Sequence, residues 1–390
     1  SAMDAFIREQ LSQNIRRGVK QASDLIDKGR HEEAVALCQK MINRDETAID
    51  PRLLLLRLAR ETEQWIEVIK LGEQCLRSRL EFETSPFNTA TGITYEMIAR
   101  WILEAFDQTI ETNFQGVEER DLPSFIHTCL GVSAHVLKDY EKARRHYMMV
   151  LQSGPKAIYD AGQAMNLLHA LEHQSGHPEQ ARKWIDLETF PLQFHTSASA
   201  AGDNDPTFND RLFDEVMACP TLKLQPQPQS MNYYIARDLN GDSAGPCVRA
   251  VEAYFKEFLA KHLDKFTLTS PPLKHPNFER MPEKPFPRMF AVAMPDNGYV
   301  GPHVHSDCFL VANYYVRIPD DMEEEDELTN CLEIGKHLYS SATGNDYPRC
   351  IIKPEPGTML MWPAYFSHAT HPGAGDKTRM VIGVDLEHTR

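Results

Sequence analysis

Two patterns of apolar positions divide the chain. From Asp4 to about Glu188 apolar residues recur three and four apart, the period of a helix with one buried face. In RHEEAVALCQKMI, Ala34, Leu37, Cys38 and Met41 fall on one such face. Similar segments surround Val68, Ala143 and Ala181, so that successive spacings approximate one, two and one lengths of a single repeat. A repeat length near 34 is that of paired helices, with a small residue where neighbouring helices pack closely. A helical repeat domain is therefore expected over 4–190.

After Glu188 the language changes. SASAAGDNDPTFND and LQPQPQS are rich in Ser, Gly, Asn, Gln and Pro, so 191–230 reads as a linker or long loop. A helix is predicted from Gly245 to Phe266, with Val248, Val251, Tyr254, Phe255 and Phe258 on one side. Beyond Pro271 come short apolar runs bounded by Pro and Gly: PRMFAVAM, FLVANYYVRI, RCIIK, GTMLMWP and RMVIGVDL. Runs of this length, rich in β-branched and aromatic residues, predict buried strands. Residues 231–390 are thus expected to hold an all-β sandwich or barrel, and DDMEEEDE over 320–327 a solvated loop.

Composition narrows the function. A chain of 390 residues with 42% apolar and 25% charged residues is a folded protein of two or three units. Its formal charge of −15, without a basic block, argues against nucleic acid and anionic membranes as partners. Eight scattered cysteines without a CxxC pair read as free thiols, which favours a cytoplasmic location. No apolar run reaches the length of a membrane span.

Chemistry concentrates in PHVHSDCFLVANYYVRIP. His303, His305 and Asp307 occupy alternate positions ahead of a strand, so all three can project to one side. Three protein groups on one face of a divalent ion leave open positions, the arrangement a non-heme Fe(II) oxygenase needs. The distant ligand is found in WPAYFSHATHPGAGDKTRM, as His368, with Arg379 following at the start of the last predicted strand. An arginine fork there can bind a carboxylate bidentately. Iron beside such an arginine suggests 2-oxoglutarate.

This ordered set resembles the Fe(II)/2-oxoglutarate-dependent oxygenases, in particular a group often joined to tetratricopeptide repeats. His303-Val304-His305 is followed by Asn313-Tyr314-Tyr315 and Pro319, by Leu332-Glu333-Ile334-Gly335, by Pro354, Gly357, Trp362, Pro363 and His368, and by Arg379. The chain also resembles, more distantly, the aspartyl/asparaginyl β-hydroxylases, which lack the usual carboxylate ligand. The resemblance covers roughly 290–390 and implies a multidomain α plus β protein, with a TPR-like N-terminal repeat domain and a C-terminal double-stranded β-helix of the jelly-roll, cupin-like type. It implies Fe(II), 2-oxoglutarate and O2 as cofactors, and hydroxylation of an unidentified substrate, a peptide or protein recruited by the repeats being one candidate. The repeats could instead build a homodimer. The rival is a non-catalytic metal-binding jelly roll attached to a protein-interaction domain.

Two near-ligand pairs stay open at this point, His303 with His305 and His305 with Asp307; His368 is common to both. His371 is a weaker candidate for the distant ligand. By resemblance to JmjC-type oxygenases, Asn313 and Tyr314 would line the cosubstrate pocket. Trp362 is expected in its wall, and Arg379 at the far carboxylate.

Overall fold

The computed structural model describes residues 2–78, 91–153, 158–224, 230–231, 233–240, 244–268, 284–295, 298–319, 327–373 and 377–388. The acidic run over 320–326 and most of LQPQPQS lie outside these residues. Two compact units emerge, Ser1–Met149 with Tyr339–Asn345, and Val150–Leu338 with Asp346–Arg390.

The first unit is helical, with α1 (Ala2–Asp27), α2 (His31–Arg44), α3 (Asp50–Glu61), α4 (Trp65–Leu76), α5 (Tyr95–Asn113), α6 (Ser124–Val136) and most of α7 (Tyr140–Gln152). Each of α1 to α6 packs on its neighbour in the chain. Ala34, Val68 and Ala143 are fully buried, as the periodicity predicts. A Cβ on Gly72 would lie 2.7 Å from Ile102, so its hydrogen lets α4 approach α5.

In the second unit the helices are α8 (Ile158–Gln174), α9 (Pro178–Trp184), α10 (Phe208–Met217) and α11 (Pro246–Leu268). Its strands are β1 (Leu192–His195), β2 (Lys223–Leu224), β3 (Ser230–Met231), β4 (Tyr234–Ala236), β5 (Pro285–Met294) and β6 (Tyr299–Val300). They continue with β7 (Cys308–Arg317), β8 (Leu332–Ile334), β9 (Cys350–Ile352), β10 (Thr358–Pro363), β11 (His368–Thr370) and β12 (Arg379–His388). Seven form an antiparallel sheet in the order β1-β10-β7-β12-β5-β4-β2; β11-β8-β9 and β3-β6 form smaller sheets. A helical half followed by a region of antiparallel sheets agrees with the expected α plus β class at this level.

Strand alternation gives the large sheet two different faces. On one, Tyr314 packs against Phe208 of α10 and Tyr254 of α11, and Phe194 stacks on Phe258. On the other, Arg379, Val381, Gly383 and Asp385 of β12 stand opposite Met294, Val292, Phe290 and Arg288 of β5. Cross-strand partners share a face. Asn313 and Tyr315 of β7 join this row, opposite Gly383 and Val381. The Phe290 ring lies where a Cβ on Gly383 would stand.

The structure differs from the expected segment 191–230. Leu192–His195 pairs with β10, and Phe208, Leu212 and Val216 bury one face of α10. Both elements are short and set in a polar stretch, so composition masked their periodicity. Likewise α8 and α9, expected in a domain over 4–190, group with the sheet unit.

Candidate active site

The three histidines converge because two short segments run side by side. His303 and His368 form an antiparallel bridge, with His303 N to His368 O at 3.1 Å and the return bond at 3.0 Å. His305 N bonds Ala364 O at 3.0 Å. Each ring then meets an acceptor at Nδ1: Gly301 O at 2.8 Å for His303, Asp385 Oδ1 at 2.9 Å for His305, and Phe366 O at 3.1 Å for His368. A carbonyl or carboxylate can only accept, so each Nδ1 carries a proton. The Nε2 atoms remain for other work.

Two of those atoms face each other directly. His305 Nε2 and His303 Nε2 are 3.2 Å apart, and the His303, His305 and His368 rings offer ligand atoms within 4.8 Å of one another. Two nitrogen lone pairs at this distance repel unless a proton or a cation sits between them. Burial, followed by the His305 charge, pulls the His303 pKa down to about 4. Burial, then His303 and His305, pulls His368 well below the ordinary histidine value. Neutral imidazoles with free Nε2 lone pairs are the form that binds a divalent metal. The residues therefore fit a three-nitrogen centre.

Asp307 does not join it. A bend at Ser306–Asp307 precedes β7, breaking the alternation that would have kept Asp307 beside His305, and its side chain is exposed. It lines the cavity without entering a ligand cluster among the described residues. His371 is also excluded, since its Nε2 lies 2.7 Å from Glu333 Oε2.

The cavity in front of the histidines holds about 320 Å3, between the inner face of the large sheet and β6 and β11. Asn313, Val381, Met294 and Thr370 line it, with Tyr233, Arg237 and Phe290 on the β4–β5 side. Trp362 meets His368 edge-on at a ring separation of 5.0 Å. Tyr314 corrects an expectation: its hydroxyl bonds Asn209 Oδ1 at 2.7 Å on the helix-covered face. One residue along, alternation puts Tyr315 on the cavity face instead.

Arg379 is 2% exposed, one cross-strand pair beyond Val381 on the same face. Its Nε, Nη1 and Nη2 make no well-formed hydrogen bond among the described residues, and the Tyr315 ring lies 5.7 Å from the guanidinium. Burial lowers its pKa, with Tyr315 opposing the shift. An uncompensated buried cation costs several kcal/mol, so the site is built for an anion. Tyr315 Oη and Trp362 Nε1 are likewise buried without well-formed hydrogen bonds.

Sequence reasoning missed Asp385. It is 3% exposed, accepts from His305 Nδ1 and pairs with Arg288 Nη2 at 2.9 Å. Burial works to raise its carboxyl pKa, but His305 and Arg288 outweigh it and hold the group below its ordinary value. The signal was present in VIGVDL, where Asp385 is a lone acid in an apolar strand, two positions from Gly383.

Residues 288–385, from Arg288 to Asp385, match the family described as "Putative 2OG-Fe(II) oxygenase". The match is to this segment alone, and it is the segment that holds the three histidines and Arg379. Fe(II) and 2-oxoglutarate are the cofactors named in that family's description. No curated protein matches the chain. Among solved structures, a Pseudomonas putida prolyl-4-hydroxylase is similar at 12% identity and TM-score 0.35, covering 51% of this chain and 93% of its own. An oxidoreductase of the 2OG-Fe(II) oxygenase family from Burkholderia pseudomallei shares 12% identity at TM-score 0.34, over 58% and 92%. A Trichoplax adhaerens prolyl hydroxylase, solved with a hypoxia inducible factor peptide fragment, shares 12% identity at TM-score 0.33, over 58% and 91%. No helix among the described residues is long and apolar enough to cross a membrane.

Proposed function

We propose that the oxygenase domain is a hydroxylase whose Fe(II) is held by Nε2 of His303, His305 and His368, and whose 2-oxoglutarate extends its far carboxylate to Arg379. The observation that carries this reading is the convergence of three imidazoles whose Nδ1 partners are all acceptors. When bound, the metal with 2-oxoglutarate and O2 supplies the oxidising power for a C–H bond that no side chain could attack.

The chain's own residues orient and exclude. Gly301 O, Phe366 O and Asp385 fix the ring planes, so the metal meets preset nitrogens. Arg379 supplies a fixed charge in a dry setting, where pairing with a carboxylate is strong. Tyr315 and Trp362 each offer a buried donor towards the same interior. Apolar Val292, Val381 and Met294 limit water in the cavity.

The substrate-facing side is read from Tyr233, Phe290 and the exposed Arg237, which suit an extended group with an apolar and a polar part. A cavity of about 320 Å3 leaves room beside the cosubstrate for a substrate side chain. A peptide or protein substrate therefore fits this reading. The helical unit is its candidate platform, with Ile66, Met97 and Phe125 exposed on its helices. Buried Ala34, Val68 and Ala143 support the repeat interpretation of that unit.

Succinate release from 2-oxoglutarate under air, with Fe(II) and ascorbate, tests the assignment. It should be lost in His368→Ala and strongly reduced in Arg379→Ala. Full turnover by His368→Ala would refute the site, and absence of succinate from a metal-loaded wild type would favour a non-catalytic metal-binding domain. Added peptides that raise succinate yield would identify the substrate class.

A further inference from the structure

The three histidines are not equivalent. His303 and His368 give their Nδ1 protons to backbone carbonyls, whereas His305 gives its proton to a carboxylate. That carboxylate is itself held in place. Asp385 Oδ1 takes the His305 bond, Oδ2 takes Arg288 Nη2 at 2.9 Å, and Arg288 Nε reaches Glu387 Oε1 at 3.0 Å. Arg288 and Asp385 stand directly opposite on β5 and β12, so the pair is fixed by the ladder.

Nearby groups offer no competing role. The Cys308 thiol shares a cluster with His305 and Asp385, but its Sγ is turned to the His305 carbonyl at 4.0 Å. Asp307, the acid nearest in sequence, is exposed beyond the bend. Three neutral imidazoles alone would leave a divalent ion with its full charge. A carboxylate hydrogen-bonded to Nδ1 pulls that proton and makes Nε2 a stronger donor.

We propose that Asp385 is a positioning residue that delivers carboxylate charge to the metal through His305, in place of a carboxylate bound directly, and that Arg288 sets how much of that charge is available. The inference rests on the three-histidine metal reading above. In Asp385→Asn, Arg288 keeps the amide oxygen and turns the NH2 towards His305. That favours the tautomer with its proton on Nε2, which cannot ligate.

The test uses the full chain under anaerobic conditions. Mn(II) binding is followed by electron paramagnetic resonance, and the Fe(II)–2-oxoglutarate complex by its visible charge-transfer band. Asp385→Asn should weaken Mn(II) by about 10–100-fold and move the band to higher energy, because the iron becomes harder to oxidise. Arg288→Gln should move the band the other way, since the carboxylate is freed from a competing cation. If Asp385→Asn does not fold by circular dichroism, the direction of the Arg288→Gln shift decides. Unchanged affinity and band in a folded Asp385→Asn, or an unmoved band in Arg288→Gln, would overturn the proposal and leave the metal site standing. A wild type that binds neither Mn(II) nor Fe(II) would instead remove the metal reading itself.

Discussion

Arg379 carries a buried charge that no described residue neutralises, and this sets up a trade between stability and function. Replacing it with Met removes the desolvation cost while keeping much of the volume. Arg379→Met should therefore stabilise the ligand-free protein by about 1–3 kcal/mol, read as a higher urea midpoint. The same variant should lose the stabilisation that 2-oxoglutarate gives wild type in the presence of Mn(II). Asp307 separates the two ligand pairs compatible with the sequence. Asp307→Asn should leave Mn(II) affinity unchanged, whereas His303→Ala should lower it by more than about tenfold. Calorimetric titration of the two variants gives the comparison directly.

At the scale of elements, the site depends on how a helix and a strand are matched. Asn166 of α8 is fully buried, and its side chain grips the turn before His368. Its Nδ2 donates to Tyr365 O at 2.8 Å and its Oδ1 accepts from Ser367 N at 2.9 Å. Asn166→Ala removes both of these bonds, so it should cost about 1–3 kcal/mol and weaken metal binding although it touches no ligand. Asn166→Asp keeps the acceptor for Ser367 N but sets a carboxylate oxygen against the Gly162 and Tyr365 carbonyls, so it should lose at least as much. On β7 the alternation assigns neighbours to opposite faces. Tyr314→Phe should cost about 1 kcal/mol through the lost Asn209 bond and leave 2-oxoglutarate affinity intact. Tyr315→Phe should affect the cosubstrate, because its hydroxyl faces the interior that holds Arg379.

Across the whole molecule, buried histidines make the ligand-free fold sensitive to acid. Burial holds His146 down at about 3 and His169 at about 4, and with the His305 charge holds His303 at about 4. In the unfolded chain these groups titrate near the ordinary value of about 6.5. Between roughly pH 4 and 6.5 the unfolded state therefore binds more protons, so stability rises with pH across that window and is lost on acidification. Each such histidine contributes up to about 1.4 kcal/mol per pH unit. Urea unfolding of the metal-free protein should show a lower midpoint at pH 5 than at pH 7, and His146→Gln should reduce the difference. A midpoint independent of pH would show that these imidazoles are solvated in the folded state.

Period and order were legible along the chain. The helical first half, the apolar strands after Pro271, and the ordered appearance of His303, His305, His368 and Arg379 all follow from local spacing. Spacing alone makes alternate residues neighbours only while the backbone stays extended. The bend at Ser306–Asp307 broke that condition and removed Asp307 from the cluster, and the face of β7 exchanged Tyr314 for Tyr315. Asp385 and Asn166 were beyond reach for a different reason. Their partners His305 and Ser367 lie 80 and 201 residues away, and only the pairing of strands and the packing of α8 bring them together. The sequence by itself determined which groups could bind a metal and an anion. Tertiary structure decided which of them share one cavity, because ligand geometry is a property of backbone register and packing.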